Sequence, residues 1–208
     1  YLLKNGQKRG SDMKYKNIVF DYGNVIAKFD GLAILRSFCE SQEDADLLRD
    51  IVYRQWPDLD RGILEYDDYL QSTLELTPPR LQDTVRTFFH DWPKEVTHFS
   101  NTLAFIKELN ERQIPIYLLS NAPTYFADYM ADSELLKSFN GVIFSGPIKM
   151  AKPDLKIYEY FFKHFNLNPE ECFFIDDLPQ NIEGAKNAGM DGIVFTGNIN
   201  EVKKQIEF

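Results

Sequence analysis

From residue 99 onward the sequence alternates between short apolar runs and amphipathic helical stretches, and this alternation limits the fold more than any other feature. Ile157, Phe161 and Phe165, which recur at every fourth position, mark one of the helical stretches. A further apolar run, residues 18–20, comes earlier in the chain. Such alternation is typical of a parallel sheet covered by helices on both faces, so we predict a doubly wound α/β fold. The later strands are predicted at residues 114–119, 142–144, 172–175 and 193–195.

The stretch between residues 29 and 94 has a different pattern. Its apolar residues recur at helical spacing, beginning with Leu32, Leu35 and Phe38, and they do not alternate as in a strand. We therefore predict an all-helical subdomain inserted after the first strand. The predicted division is an N-terminal extension at 1–12, an α/β core at 13–28 and 95–208, and a helical insertion at 29–94.

The insertion contains signals for the starts of its helices. Ser41, with Asp44 three residues later, resembles a capping box for a second helix that runs towards Trp56. A third helix is predicted after Gly62, and Pro78 is predicted at the first position of a fourth.

Composition excludes several classes of function. The formal charge of −9, from 32 acidic and 23 basic residues, opposes binding to a nucleic acid, which requires an excess of positive charge. No apolar stretch reaches the ~18 residues of a membrane span. Cys39 and Cys172 lack metal-type spacing and are expected to be reduced thiols. Residues 1–12 lack the apolar region of a signal peptide, so we predict a cytoplasmic protein.

Chemically useful residues stand where the predicted strands end. Asp21 follows the first strand, Ser120 the second, and the pair Asp176-Asp177 the fourth, while Lys152 precedes a helix. Because the carboxyl ends of parallel strands share one edge of the sheet, we expect these residues to gather there.

Together these residues suit phosphoryl transfer. The Ser120 hydroxyl and the free amides of a helix start near Asn121 would bind the oxygens of an anion. Lys152 would add positive charge, and two adjacent acids would supply the oxygen ligands that Mg²⁺ prefers. A carboxylate between these cations would stay ionised and could attack an electrophile, so Asp21 is a candidate nucleophile that forms an aspartyl-phosphate.

This set, in this order, resembles the haloacid dehalogenase superfamily of hydrolases, and the resemblance covers essentially the whole chain after residue 12. The matching motifs are FDYGNV around Asp21, YLLSN around Ser120, MAKPDLKIY around Lys152 and FFIDDLPQNIEGAKNAGM around Asp176-Asp177. The helical insertion is similar to the first type of cap in that family. The resemblance implies a Mg²⁺-dependent phosphatase that acts on a small phosphate ester.

The resemblance also implies a distribution of roles. Asp21, the backbone carbonyl of Gly23 and Asp177 would bind the metal, with Asp176 in a supporting role. Ser120, Asn121 and Lys152 would hold the phosphoryl group. Asn121 could instead only hold its loop, and Asn181 could steady the metal loop. Arg61 in the insertion is a further candidate for substrate binding, against the alternative of an ordinary solvated arginine.

Gly23 departs from the pattern of family phosphatases, which usually carry a second aspartate two residues after the nucleophile as an acid/base. Since general acid catalysis is worth ~10²–10⁴-fold, we predict slow turnover, an acid supplied from elsewhere, or an easily departing leaving group. The FDxGNV pattern is similar to a bacterial branch that includes a glucose 1-phosphate phosphatase, so a sugar phosphate is one substrate hypothesis.

Two other functions remain open. A 2-haloacid dehalogenase shares the aspartate nucleophile but needs no metal, and the acidic pair Asp176-Asp177 favours the phosphatase over it. A regulatory protein that binds a phosphorylated ligand without turnover is the third hypothesis. The sequence leaves the oligomeric state open.

Overall fold

The computed structural model describes residues 13–208, and the predicted extension at 1–12 lies outside the described residues. Five parallel strands form the main sheet, in the order β5-β4-β1-β6-β7, which confirms the predicted doubly wound α/β class. In chain order the strands are β1 (Asn17–Phe20), β2 (Ala27–Lys28), β3 (Thr97–His98), β4 (Ile116–Ser120), β5 (Gly141–Phe144), β6 (Cys172–Asp176) and β7 (Asp191–Val194).

Helices precede, connect and follow these strands. Within residues 13–208, no helix combines the length and the apolar character needed to cross a bilayer. The helices are α1 (Gly31–Ser37), α2 (Gln42–Val52), α3 (Trp56–Asp60), α4 (Tyr66–Leu76), α5 (Gln82–Asp91), α6 (Ser100–Glu111), α7 (Thr124–Met130), α8 (Glu134–Lys137), α9 (Ser145–Ile148), α10 (Leu155–Phe165), α11 (Pro179–Asn187) and α12 (Ile199–Gln205).

The order of the strands places a crevice at the end of β1. The chain passes from β1 outward to β4 and β5, and then returns to the other side of β1 for β6 and β7. In open parallel sheets, ligands bind outside the carboxyl ends of the strands where the winding reverses in this way. Asp21, directly after β1, stands at this point.

Both faces of the sheet are buried. Ile18 and Phe20 of β1 belong to the apolar cluster on one face, and Val19 belongs to the cluster on the other, as expected when successive side chains point to opposite sides. Helices α6 and α12 cover the first face, and α10 and α11 cover the second. This double cover explains why strands of a parallel sheet are apolar throughout rather than alternating.

Helices α1 to α5 occupy the predicted insertion, which we call the cap and define as residues 29–94. The Ser41 hydroxyl accepts a hydrogen bond from the amide of Asp44 at 3.1 Å, so Ser41 caps α2 as predicted. However, α2 ends at Val52 rather than near Trp56. Trp56 starts the separate helix α3, because Pro57 can stand in the first turn of a helix but not in its interior.

Two further local predictions required correction. The helix predicted to start at Pro78 begins instead with a 3₁₀ turn, Pro79–Leu81, and α5 follows from Gln82, since two consecutive prolines supply no amide donors. The antiparallel pair β2–β3 was not predicted, because two-residue strands are too short to show a pattern. This pair joins the two connections between the cap and the rest of the chain.

Candidate active site

Asp21 is fixed at the end of the central strand by hydrogen bonds. Its amide donates to the carbonyl of Ile175 on β6 at 2.9 Å, and its Oδ1 accepts from the amide of Tyr22 at 2.7 Å. The residue is only 7% exposed. Its carboxyl group is therefore held in place and largely removed from water.

The ammonium group of Lys152 lies between two carboxylates. Its Nζ is 2.9 Å from Oδ1 of Asp21 and 2.6 Å from Oδ2 of Asp176, and the lysine side chain is fully buried. A buried charge is tolerated when it is paired and hydrogen-bonded, and Lys152 meets both conditions. The fold thus brings together residues that lie more than 130 positions apart in the chain.

Burial and charge act in opposite directions on these groups. Burial raises the pKa of the Asp21 carboxyl above its ordinary value, and the Lys152 ammonium group opposes that rise. Burial alone would lower the pKa of Lys152, but the charges of Asp21 and Asp176 outweigh it, so the pKa of the lysine is raised. Lys152 therefore stays cationic at neutral pH and provides a fixed positive charge beside Asp21.

Asp176 is fully buried and already has several hydrogen-bond donors. Its Oδ1 accepts from the amide of Leu178 at 2.8 Å, and the side-chain amide of Asn181 lies 3.0 Å from both carboxylate oxygens. The ammonium group of Lys152 also donates a hydrogen bond to Oδ2 of Asp176. These contacts fit Asp176 to a positioning role, because few of its lone pairs remain for a ligand.

Asp21, Asp176 and Asp177 form an acidic cluster, which we call the three-acid cluster. One carboxylate oxygen from each residue lies within 4.8 Å of the other two. Asp177 is partly exposed and accepts a hydrogen bond from the side-chain amide of Asn24 at 3.1 Å. Asp21 and Asp177 therefore have oxygens that face open space, and Gly23 borders the same space.

Ser120 is the last residue of β4, on the other side of Asp21, and Asn121 follows it. The buried Ser120 hydroxyl stands close enough to Asp21 to lower the pKa of its carboxyl. The Asn121 side chain donates to the carbonyl of Lys152 and accepts from its amide, both at 2.9 Å. Asn121 thus holds the backbone of the lysine, which is the loop-holding alternative from the sequence, and it also borders the pocket.

These residues line one pocket of about 260 Å³ between the cap and the sheet. Its polar end contains Asp21, Ser120, Lys152 and Asp177. Aromatic side chains form part of the remaining wall, and a ligand whose charged group lies at the sheet would place its uncharged part against them. The aromatic walls are Phe29, Trp56 and Trp92 from the cap and Phe126 from α7.

The cap contributes a different charged residue from the predicted one. Arg61 is exposed and does not line the pocket, whereas Asp60, one residue earlier, does. We did not single out Asp60 in the sequence. The available signal was an acidic residue two positions before a glycine in the insertion, and this signal cannot be interpreted without the docking of α3 on the sheet.

Comparison with known proteins agrees with this fold and site. The family model described as haloacid dehalogenase-like hydrolase matches residues 15–189, and the chain belongs to this family of hydrolases. The narrower FDxGNV branch remains a prediction.

Relatives of known function are distant in sequence. The chain is 25% identical to a D-ribitol-5-phosphate phosphatase of Bacteroides thetaiotaomicron, over 85% of this chain and 89% of the relative. It is 26% identical to a phosphorylated carbohydrates phosphatase of Thermotoga maritima, over 66% of this chain and 63% of the relative. The chain spans between 35% and 63% of the length of three curated relatives that it matches.

A solved structure shares the fold. It is a HAD-family enzyme of Bacteroides thetaiotaomicron, crystallised as an aspartate-to-alanine variant with magnesium and inorganic phosphate. The TM-score is 0.69 at 20% identity, and the match covers 88% of this chain and 96% of that one.

Proposed function

We propose that this protein is a Mg²⁺-dependent phosphatase that hydrolyses a small phosphorylated metabolite through an aspartyl-phosphate intermediate. The observation that supports it best is the position of Lys152 between Asp21 and Asp176, at the edge of the three-acid cluster. A nucleophilic carboxylate, a fixed cation and a cluster of oxygen ligands stand at one end of one pocket.

The proposed reaction has two displacements at phosphorus. In the first, a carboxylate oxygen of Asp21 forms a bond to phosphorus while the ester P–O bond breaks, and the alcohol leaves after it takes up a proton. In the second, water attacks the phosphorus and loses a proton, and the bond between Asp21 and phosphorus breaks. Inorganic phosphate is released, and Asp21 becomes a free carboxylate again. Ser120 and Lys152 hold the phosphoryl oxygens, so positioning and electrostatics supply most of the acceleration.

The donor set fits a magnesium ion. Carboxylate and carbonyl oxygens are the ligands that Mg²⁺ takes, and the oxygens of the three-acid cluster are close enough together to share one ion. Asp21, Asp177 and the backbone carbonyl of Gly23 would hold it, while Asp176 positions Lys152. The ion would supply positive charge that offsets the charge on the transferred phosphoryl group.

The size and walls of the pocket limit the alcohol part of the substrate. A volume of about 260 Å³ suits a small metabolite, and aromatic walls suit the faces of a sugar or polyol. The named substrates of two relatives, a phosphorylated carbohydrate and ribitol 5-phosphate, support a sugar or polyol phosphate. Glucose 1-phosphate remains the most specific hypothesis.

The free thiols of Cys39 and Cys172 support the predicted cytoplasmic location.

A 2-haloacid dehalogenase would use the same nucleophile without a metal. Lys152 supplies one positive charge to three carboxyl groups that lie within 4.8 Å of one another, so a further cation would reduce the remaining repulsion, which favours the metal-dependent phosphatase. A regulatory protein that only binds a phosphorylated ligand would keep the pocket and lack turnover.

A screen of phosphate monoesters distinguishes these functions. We expect phosphate release that requires Mg²⁺, disappears with EDTA, disappears in Asp21→Asn and persists in Asp132→Asn, a matched change at an exposed position. Chloride release from 2-chloropropionate in EDTA would support the dehalogenase instead. Binding without release of either product would support the regulatory protein.

A further inference from the structure

The proposed reaction needs a proton donor that the residues described above do not supply. An alkoxide leaves phosphorus slowly unless a group within hydrogen-bond reach protonates it. Gly23 has no side chain, Asp21 is the nucleophile, and Asp177 belongs to the three-acid cluster. Among the described residues that line the pocket, Tyr22 and Asp60 are the other two with an acidic side chain.

Tyr22 does not suit this role. Its hydroxyl lies 2.9 Å from Nε2 of His98, a residue that does not line the pocket. Burial also raises the pKa of the Tyr22 phenol far above its ordinary value, which makes it a poor proton donor at neutral pH.

Asp60 lines the same pocket as Asp21 and Asp177 but belongs to the cap. It is the last residue of α3 in the cap, lines the pocket, and is not a member of the cluster. Within residues 13–208, its carboxyl group has no hydrogen-bond or ion-pair partner, and the adjacent Arg61 is exposed. An acid that lines the pocket and makes no hydrogen bond or ion pair within the described residues is available to a ligand.

The backbone around Asp60 is held firmly on the sheet. The buried Ser145 hydroxyl donates to the carbonyl of Asp60 and accepts from the amide of Ala122 at 2.9 Å. Gly62 has a φ of +64°, and a Cβ there would lie 2.2 Å from the carbonyl oxygen of Gly146. This close approach fixes the end of α3 over the pocket and therefore fixes where the Asp60 carboxyl can be.

The environment gives Asp60 a suitable acidity. Burial, with a smaller contribution from the charge of Asp21, raises the pKa of the Asp60 carboxyl to about 7. The other charged groups that line the pocket are Lys152 and Asp177. A group with this pKa is present in both protonation states near neutral pH, as an acid that later acts as a base must be.

We propose that Asp60 is the general acid and base of this enzyme, supplied by the cap. In the first displacement the protonated carboxyl gives its proton to the leaving oxygen as the ester P–O bond breaks. In the second the carboxylate takes a proton from the attacking water, and the group returns to its starting state. This inference rests on the proposed phosphatase function, and it assigns a catalytic role to a cap residue.

The dependence on the leaving group tests the first half of this role. In Asp60→Asn we expect kcat/KM for a sugar phosphate to fall by ~10²–10⁴-fold, as for loss of a general acid, and that for p-nitrophenyl phosphate to fall much less. Asp58→Asn, on the same helix but outside the pocket, is the matched control and should retain activity on both substrates. Equal losses on both substrates would overturn the proposal, because a residue that only shapes the pocket does not distinguish leaving groups.

Pre-steady-state kinetics test the second half. With p-nitrophenyl phosphate, Asp60→Asn should release one equivalent of nitrophenolate in a burst and then turn over slowly. The phosphoenzyme accumulates because its hydrolysis lacks a general base. The Asp58→Asn variant should resemble the wild type. A variant of Asp60 that hydrolyses its phosphoenzyme at the wild-type rate would overturn the proposal.

A rescue experiment separates loss of the acid from loss of structure. A Cβ at Gly23 would lie 3.8 Å from the Cβ of Phe29, an ordinary van der Waals contact, so the backbone there accepts a residue with a side chain. We expect the added change Gly23→Asp to raise the kcat/KM of the Asp60→Asn variant at least tenfold. The added change Gly23→Asn should not raise it. If Asp60→Asn does not fold, the same comparison is made in Asp60→Ser. No rescue in a folded double variant would overturn the proposal.

The two hypotheses fail in different ways. Wild-type protein without phosphatase activity on any ester would remove the proposed function and this inference with it. Wild-type activity that Asp60→Asn leaves unchanged would remove this inference alone.

Discussion

The ammonium nitrogen of Lys152 lies 2.9 Å from Oδ1 of Asp21, although 130 residues separate them in the chain. Both side chains are buried, and Asp176 completes the arrangement from the neighbouring strand. The lysine makes the anionic form of Asp21 tolerable at a position where burial alone would favour the neutral acid. The same contact favours the ionised form of Asp21, which is the form that the proposed nucleophile requires.

Removing this cation should destabilise the protein in a pH-dependent way. Lys152→Met leaves the buried carboxyl groups of Asp21 and Asp176 without their cationic partner, and removal of one member of a buried ion pair typically costs about 3–5 kcal/mol of unfolding free energy. The loss should be largest at pH 8 and should shrink as the pH falls, because burial raises the pKa of the Asp21 carboxyl and protonation removes its unpaired charge. Thermal unfolding between pH 5 and pH 8 measures it.

Lys156→Met is the matched control for that change. Lys156 is exposed on α10, and it makes no ion pair within the described chain. Its replacement should leave the melting temperature unchanged at every pH. An equal and pH-independent loss in both variants would show that the Lys152 contact contributes no electrostatic stability.

The raised pKa of Asp60 predicts a second effect of pH on stability. The pKa of this carboxyl is about 7 in the folded protein and near its ordinary value of 3.8 in the unfolded chain, so the folded state binds more protons. Wild-type stability from this group should therefore fall as the pH rises from about 4 to 7 and then level off. The Asp60→Asn variant should not show this fall in stability, because asparagine does not ionise.

The measurement is the melting temperature of Asp60→Asn minus that of the wild type. The difference should grow with pH across this window, by ~2–4 °C for each kcal/mol in a protein of this size. Asp58→Asn supplies the baseline. A difference that is flat or decreasing between pH 4 and pH 7 would contradict the burial of the Asp60 carboxyl.

The contact between the cap and the sheet at Gly62 makes a third prediction. Gly62→Ala places a methyl group 2.2 Å from the carbonyl oxygen of Gly146, so α3 must shift. We expect a loss of more than 1 kcal/mol of unfolding free energy and a fall in kcat/KM, because the shift moves Asp60.

Gly197→Ala is the control. It places alanine at a positive φ, as Gly62→Ala does, but it creates no close contact with another part of the chain. Gly197 has a φ of +90°, and a Cβ there would meet nothing within 4 Å. Its replacement should lower stability through strain alone and leave kcat/KM unchanged. If both substitutions have the same effect on stability and activity, the close approach at Gly62 does not position the cap.

The fold and the polar end of the site followed from local sequence features. Buried strands of a parallel sheet are short apolar runs, and the sheet gathers their carboxyl ends at one edge. Asp21, Ser120 and the two acids at the end of β6 could be placed at that edge without knowledge of any tertiary contact. Lys152 precedes a helix rather than following a strand, and it reaches the edge because Asn121 holds its backbone.

The cap side of the pocket could not be predicted in this way. Whether Asp60 or Arg61 faces the pocket depends on the orientation of α3, a helix of five residues that is too short to show a helical period in the sequence. That orientation is set by the contacts of Ser145 and Gly146 with the cap, and these residues lie more than 80 positions later in the chain. A long-range contact of this kind leaves no periodic signal.

The central claim is that Asp21 becomes covalently phosphorylated, and one measurement tests it directly. The protein is mixed with substrate and Mg²⁺, quenched in acid within one turnover, and digested, and the peptides are analysed by mass spectrometry. We predict a phosphoryl group on Asp21 in wild-type protein and a larger amount of it in Asp60→Asn. Hydrolysis of the substrate with no phosphoryl group on Asp21 in either protein would contradict the account.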